Sequence, residues 1–119
     1  MKIVVTTTGK SLDAPLDPRF GRASGFLVYD LENGGFEVID NRNANAAHGA
    51  GIQAAENVVR SGAQAVVTGH CGPKAFQVLR AAGVSVFNTD AATVADAIAL
   101  YREGKLSRAL SADTRGHGA

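Results

Sequence analysis

Two helix-glycine-strand units in succession constrain this fold more than any other feature of the chain. In the first, a helix opens after Gly49-Ala50-Gly51, runs to about Ser61, stops at Gly62 and yields to an apolar strand over residues 63–68. In the second, Ala75, Val78, Leu79 and Ala82 recur at the spacing of one buried helix face between Pro73 and Gly83, and a strand follows over 84–87. Such units imply parallel strands joined by right-handed crossovers. Val94, Ala97, Ile98 and Tyr101 repeat the helical spacing before Gly104, which predicts a third helix.

The N-terminal part has a different rhythm. Ile3-Val4-Val5 leads into Thr6-Thr7-Thr8 as a β-branched strand ending at Gly9, and two more strands are predicted over 26–29 and 36–39. Asn33-Gly34 between the latter two predicts a tight hairpin. An antiparallel meander joined by the later parallel strands gives an α/β chain with a five-stranded mixed sheet, order 3-2-1-4-5, and three helices. This layout resembles the three-layer ribonuclease H-like architecture. The 119 residues suit one domain, over residues 1–105, with 106–119 expected as a flexible C-terminal tail.

Strand direction then decides where chemistry can gather. In that topology strands one, three, four and five end at one edge, so the loops over 9–24, 41–48, 69–72 and 88–90 meet there. Arg19, Arg22, Arg42, His48, His70, Cys71 and Lys74 are expected around this crevice, a favoured ligand site in open α/β sheets. Two helices begin at it, behind Gly49 and Gly51 and behind Gly72, and a helix start offers unpaired N–H groups and partial positive charge to an anion.

Overall charge places limits on partners. With 12 Lys and Arg against 11 Asp and Glu, a broad footprint for nucleic acid or an anionic membrane is not expected, so any positive field is local. A single cysteine precludes an internal disulfide, no apolar run approaches the roughly 20 residues of a membrane span, and Met1-Lys2-Ile3 enters a strand without a signal-peptide layout. A cytoplasmic chain, monomeric or weakly dimeric, is expected.

Cys71 has two readings: a small packing residue, or a thiolate activated by the helix start and by His70 or His48. His48, His70 and Cys71 form a candidate metal set, though no C-x-x-C or H-x-x-H spacing closes a structural site. Gly49-Ala50-Gly51 lacks the surroundings of a phosphate loop, which leaves nucleotide binding unsupported. The fourth strand ends in Thr68-Gly69-His70 without the acids of a two-metal nuclease, and no G-x-S-x-G elbow occurs.

With Asp17-Pro18-Arg19-Phe20-Gly21-Arg22-Ala23, His48-Gly49-Ala50-Gly51 and Gly72-Pro73-Lys74-Ala75-Phe76, the chain resembles the dinitrogenase iron-molybdenum cofactor biosynthesis family. The resemblance spans about residues 1–105, and R-F-G-R-A and G-P-x-A-F are its more specific parts; Lys74 departs from the asparagine of many relatives. It implies a ribonuclease H-like, NifX/NafY-like cofactor-binding domain and a noncatalytic role in binding, carrying or assembling an anionic sulfide cluster, of molybdenum with copper or of iron with molybdenum. Arg19, Arg22, His48, Gly49, Gly51, Gly72 and Lys74 are then the expected cluster-binding residues, with His48, His70 and Cys71 as candidate ligands. A cluster-receiving or cell-division-type protein is the expected partner. Two other classes stay open at this point, a thiol-dependent enzyme using Cys71 and an interaction module carrying no cluster.

Overall fold

The structure, a computed structural model, describes residues 1–42 and 49–111. Its elements are β1 (Lys2–Thr7), β2 (Gly25–Asp30), β3 (Phe36–Asp40), α1 (Ala50–Arg60), β4 (Ala65–Thr68), α2 (Pro73–Ala81), β5 (Ser85–Asn88) and α3 (Val94–Arg102). They form one sheet in the order β3-β2-β1-β4-β5. β1 runs antiparallel to β2, with Val4 opposite Val28, and parallel to β4, with Val4 opposite Val66. β2 and β3 pair antiparallel, β4 and β5 parallel. The expected mixed sheet with three helices is therefore present.

Alternation along the strands sorts the core into two halves. Val4, Phe26, Val66 and Val86 face α1 and α2, which bury Ala54, Ala55, Val58, Ala75, Phe76 and Leu79 against them. Ile3, Val5, Leu27 and Val67 face the other way, onto Val94, Ala97 and Ile98 of α3. Helices thus cover both faces of a sheet whose central strands β1 and β4 are buried on two sides, apolar apart from Lys2 at the start of β1 and the threonines at the strand ends. Gly62, Gly83 and Gly104 follow the three helices with positive φ, the left-handed residue expected at each end.

Two local expectations are modified. The β2–β3 hairpin is not a two-residue turn: Asp30 N–H donates to Gly35 O (2.8 Å), leaving Leu31 to Gly34 as a four-residue loop. Asp30 organises it, its carboxylate accepting the N–H groups of Glu32 (2.8 Å) and Asn33 (3.4 Å), and those bonds hold its pKa below the usual aspartate value. The second concerns the C-terminal segment. Arg108 pairs with Phe87 in an antiparallel bridge, and Ala109 N–H donates to Val86 O (2.7 Å). Leu106 packs with the α3 side of the core and Ala109 with the α1–α2 side, so the segment wraps the β5 edge instead of leaving it. An edge strand offers unpaired backbone groups, and here a backbone bridge and two packed apolar residues hold the segment across them. Residues 112–119 lie outside the described part. Among the described residues no helix is long and apolar enough to cross a membrane.

Candidate functional site

The loop between β1 and β2 is built onto the end of the sheet by a chain of backbone bonds. Asp17 N–H donates to Thr6 O (2.9 Å), and Thr6 Oγ1 returns a bond to Asp17 O (2.6 Å) while also meeting Thr68 Oγ1 at 2.9 Å. His70 N–H donates to Pro18 O (2.6 Å), and Phe20 N–H donates to His70 O (3.0 Å). This bridge laces the loop to the turn between β4 and α2. Gly69 makes the approach possible, because a Cβ there would lie 2.7 Å from both Cα and O of Pro18. The Phe20 ring is buried, tilted against Phe26 with centroids 5.6 Å apart. Beyond it, buried Asn41 fastens the loop by donating from Nδ2 to Gly21 O (3.1 Å) and Ala23 O (2.9 Å).

Anchored in this way, the loop reaches the start of α1. A Cβ on Gly21 would stand 2.9 Å from Gly51 Cα and 3.2 Å from its N, and one on Gly51 would touch Ala75 Cβ at 3.4 Å. Small residues therefore let the loop and the starts of α1 and α2 converge. Gly21→Ala is expected to cost about 1–3 kcal/mol through overpacking and to push the loop off α1, which denaturant unfolding measures directly.

The convergence encloses an open cleft of about 350 Å³. Gly21 and Arg22 supply one wall, Gly49 to Ile52 the second and Gly72 to Ala75, with Lys74, the third. No carboxylate is among these lining residues. α1 starts behind Gly49 and α2 behind Gly72 with Pro73 in its first turn, and among the described residues neither start is closed by a side-chain hydrogen bond. Helix starts carry N–H groups without intrahelical partners and about half a positive charge. α3 begins at the same edge in a different state: Thr93 Oγ1 accepts Asp96 N–H (3.1 Å), and the β1–β2 loop gives Ala14 O to Val94 N–H (3.0 Å) and Leu12 O to Ala95 N–H (2.8 Å). One helix start is sealed by the fold, while two open onto the same cleft.

Of the residues singled out from sequence, Arg22, Gly49, Gly51, Gly72 and Lys74 line this cleft together. Arg19 lies on the strip beside it, its backbone bridged to His70. His70 itself lines a neighbouring cleft of about 330 Å³ with Pro18, Gly69, Asn88, Thr89 and Asp90. Cys71 is 1% exposed and belongs to the apolar cluster that includes Phe20, Ala75 and Phe76. It is buried between exposed His70 and Gly72, so its side chain packs into the core while its neighbours stand at the surface. Arg42 is exposed just past β3. His48 falls outside the described residues, among which no group of three or more His, Cys, Asp or Glu side chains is arranged to hold a metal ion. Sequence reading passed over Asp17 and Asn41. An Asp two residues before Arg19 is the signal of an Asx turn, whereas nothing local marks Asn41 as the clamp on Gly21.

The family model described as dinitrogenase iron-molybdenum cofactor matches residues 1–104. An uncharacterized protein of Methanocaldococcus jannaschii is 33% identical over 96 residues, which cover 78% of this chain and 81% of that one. Among solved structures, the apo form of the orange protein from Desulfovibrio gigas superposes with a TM-score of 0.92 at 42% identity, over 95% of this chain and 96% of that chain. A NifB-like protein from Thermotoga superposes with a TM-score of 0.80 at 36% identity, over 90% and 91%.

Proposed function

The chain belongs to the dinitrogenase iron-molybdenum cofactor family, and from that premise we propose that it is a noncatalytic carrier for an anionic, molybdenum-containing sulfide cluster seated in the cleft between α1 and α2. The observation that carries this reading is the convergence of two helix starts, uncapped by any side chain among the described residues, with Arg22 and Lys74 on a cleft that has no carboxylate among its described lining residues. Two helix starts and two cations place roughly three positive charges around it. The family name supports an iron–molybdenum cargo, and a molybdenum–copper one is the other type that the sequence resemblance implies.

The walls also bear on which anion fits. Glycines, alanines, Ile52 and Pro73 make much of the lining apolar. A hard, strongly hydrated oxyanion gains little from such walls, whereas a large polarizable sulfide anion sheds its water at less cost and keeps contact with the N–H groups. Arg22 and Lys74 provide charge-assisted donors, and the cargo is held by hydrogen bonds and charge instead of by Cys71, whose sulfur lies in the core. A grip of this kind is reversible, which suits transfer to a receiving protein. The burial of Cys71 weighs against a thiol-dependent enzyme, because a nucleophile needs access to its substrate.

Reconstitution tests the proposal. Apo-protein mixed with tetrathiomolybdate and either copper or iron should retain a coloured species through gel filtration at a fixed ratio to protein, and molybdate should compete poorly. Folded protein that emerges colourless in every combination contradicts the carrier reading.

A further inference from the structure

Asp17 is the one charged side chain buried among the described residues, 1% exposed, and none of the roles above uses its carboxylate. Its Oδ1 accepts the backbone N–H of Arg19 at 3.0 Å and the Nε–H of the same residue at 3.4 Å. Its Oδ2 is buried with no partner. An asparagine would make the same backbone turn through its carbonyl oxygen and would leave no ionised oxygen stranded. What aspartate adds is negative charge, and the cation it touches is Arg19.

We propose that Asp17 is a positioning residue that fixes the direction of the Arg19 guanidinium on the loop whose Gly21 and Arg22 wall the cargo cleft. The Arg19 side chain is 64% exposed, so its own packing does little to orient it. Its backbone is already tied down, bridged to His70 on the strip that ends in Gly21 and Arg22. Tying Nε–H to the buried carboxylate fixes the plane of the group and leaves the four Nη–H donors to solvent and to whatever projects from the cleft. Pre-orienting a long cation lowers the conformational entropy lost when it meets an anion. The effect on cargo rests on the carrier reading; the orientation of Arg19 does not.

A competing effect has the opposite sign. The Asp17 charge opposes anion binding through space, so if it acted only as a field, its removal would tighten binding. The test uses the full chain with tetrathiomolybdate alone as probe, and the variants Asp17→Asn, Arg19→Ala, Arg19→Lys and Asp17→Asn/Arg19→Ala. Asp17→Asn should weaken binding about 3–10-fold, and Arg19→Lys, which keeps the charge but loses Nε, should weaken it similarly. Asp17→Asn should add nothing in the Arg19→Ala background. In the apo-protein the Arg19 Nε–H resonance should exchange slowly with water and lose that protection in Asp17→Asn. Unchanged or tighter binding in Asp17→Asn or Arg19→Lys, or additive losses in the double variant, overturns the proposal. If Asp17→Asn does not fold, Arg19→Lys decides the matter. If the parent chain binds no tetrathiomolybdate, the carrier reading fails by itself. The Nε–H protection then decides the positioning role, which is overturned if protection is absent from the parent or survives in Asp17→Asn.

Discussion

A chain carrying Arg22→Ala and Lys74→Ala together should bind tetrathiomolybdate about 100-fold more weakly than the parent chain while remaining folded. Each side chain lines the cleft beside a helix start, and a charge-assisted hydrogen bond to an anion contributes about 1.5 kcal/mol or more, roughly a factor of ten. Lys74 and Arg22 are both exposed, so the stability change should stay within about 1 kcal/mol. The residual binding should also be less sensitive to salt, because two of the screened charges are gone while the helix N–H groups remain. Isothermal titration at two ionic strengths reads both effects. A double variant that binds like the parent would place the anion elsewhere.

Gly69→Ala should produce the largest loss of stability among substitutions at the site, about 2–3 kcal/mol, or a fall in Tm of about 10 °C for a domain of this size. The new Cβ would meet Pro18 Cα, O and Cβ at 2.7, 2.7 and 2.8 Å, and two of these are backbone atoms that cannot rotate away. Relief requires the loop to lift. That movement strains the bonds from His70 N–H to Pro18 O and from Phe20 N–H to His70 O, and disturbs the Asn88 Nδ2 bond to Gly69 O (3.0 Å). Because Gly21 and Arg22 ride on the same loop, affinity for the anion should fall with stability. A melting temperature within about 1 °C of the parent's would mean that the loop yields without cost.

These two expectations separate what was readable in the chain from what was not. The strand order and helix phases are written in local terms: β-branched runs, apolar spacing in the helices and glycines after each helix. Strand direction then located the edge where Gly49, Gly51, Gly72, Arg22 and Lys74 meet, because direction alone decides which loops share an end. Side-chain facing is finer than direction. Cys71 lies two residues before the exposed start of α2 yet points into the core, and His70 beside it opens onto a different cleft. The lacing of Pro18 and Phe20 to His70 joins residues about fifty positions apart through backbone atoms, which carry no residue-type signature. The sealing of α3 by Leu12 O and Ala14 O is hidden for the same reason. The strap over β5 escaped notice because two apolar residues among serines and arginines form no period. Asp17 carried the local signal of an Asx turn that sequence reading passed over, and its burial depends on the whole loop closing over it.

The most direct test of cargo binding between the two open helix starts is amide shift mapping of the 15N-labelled chain during titration with tetrathiomolybdate. The largest shifts should come together, at one saturation point, from Gly21, Arg22, Gly51, Ile52, Gly72, Lys74 and Ala75. Shifts that instead centre on His70, Asn88 and Asp90, with those of the two helix starts unmoved, would contradict it.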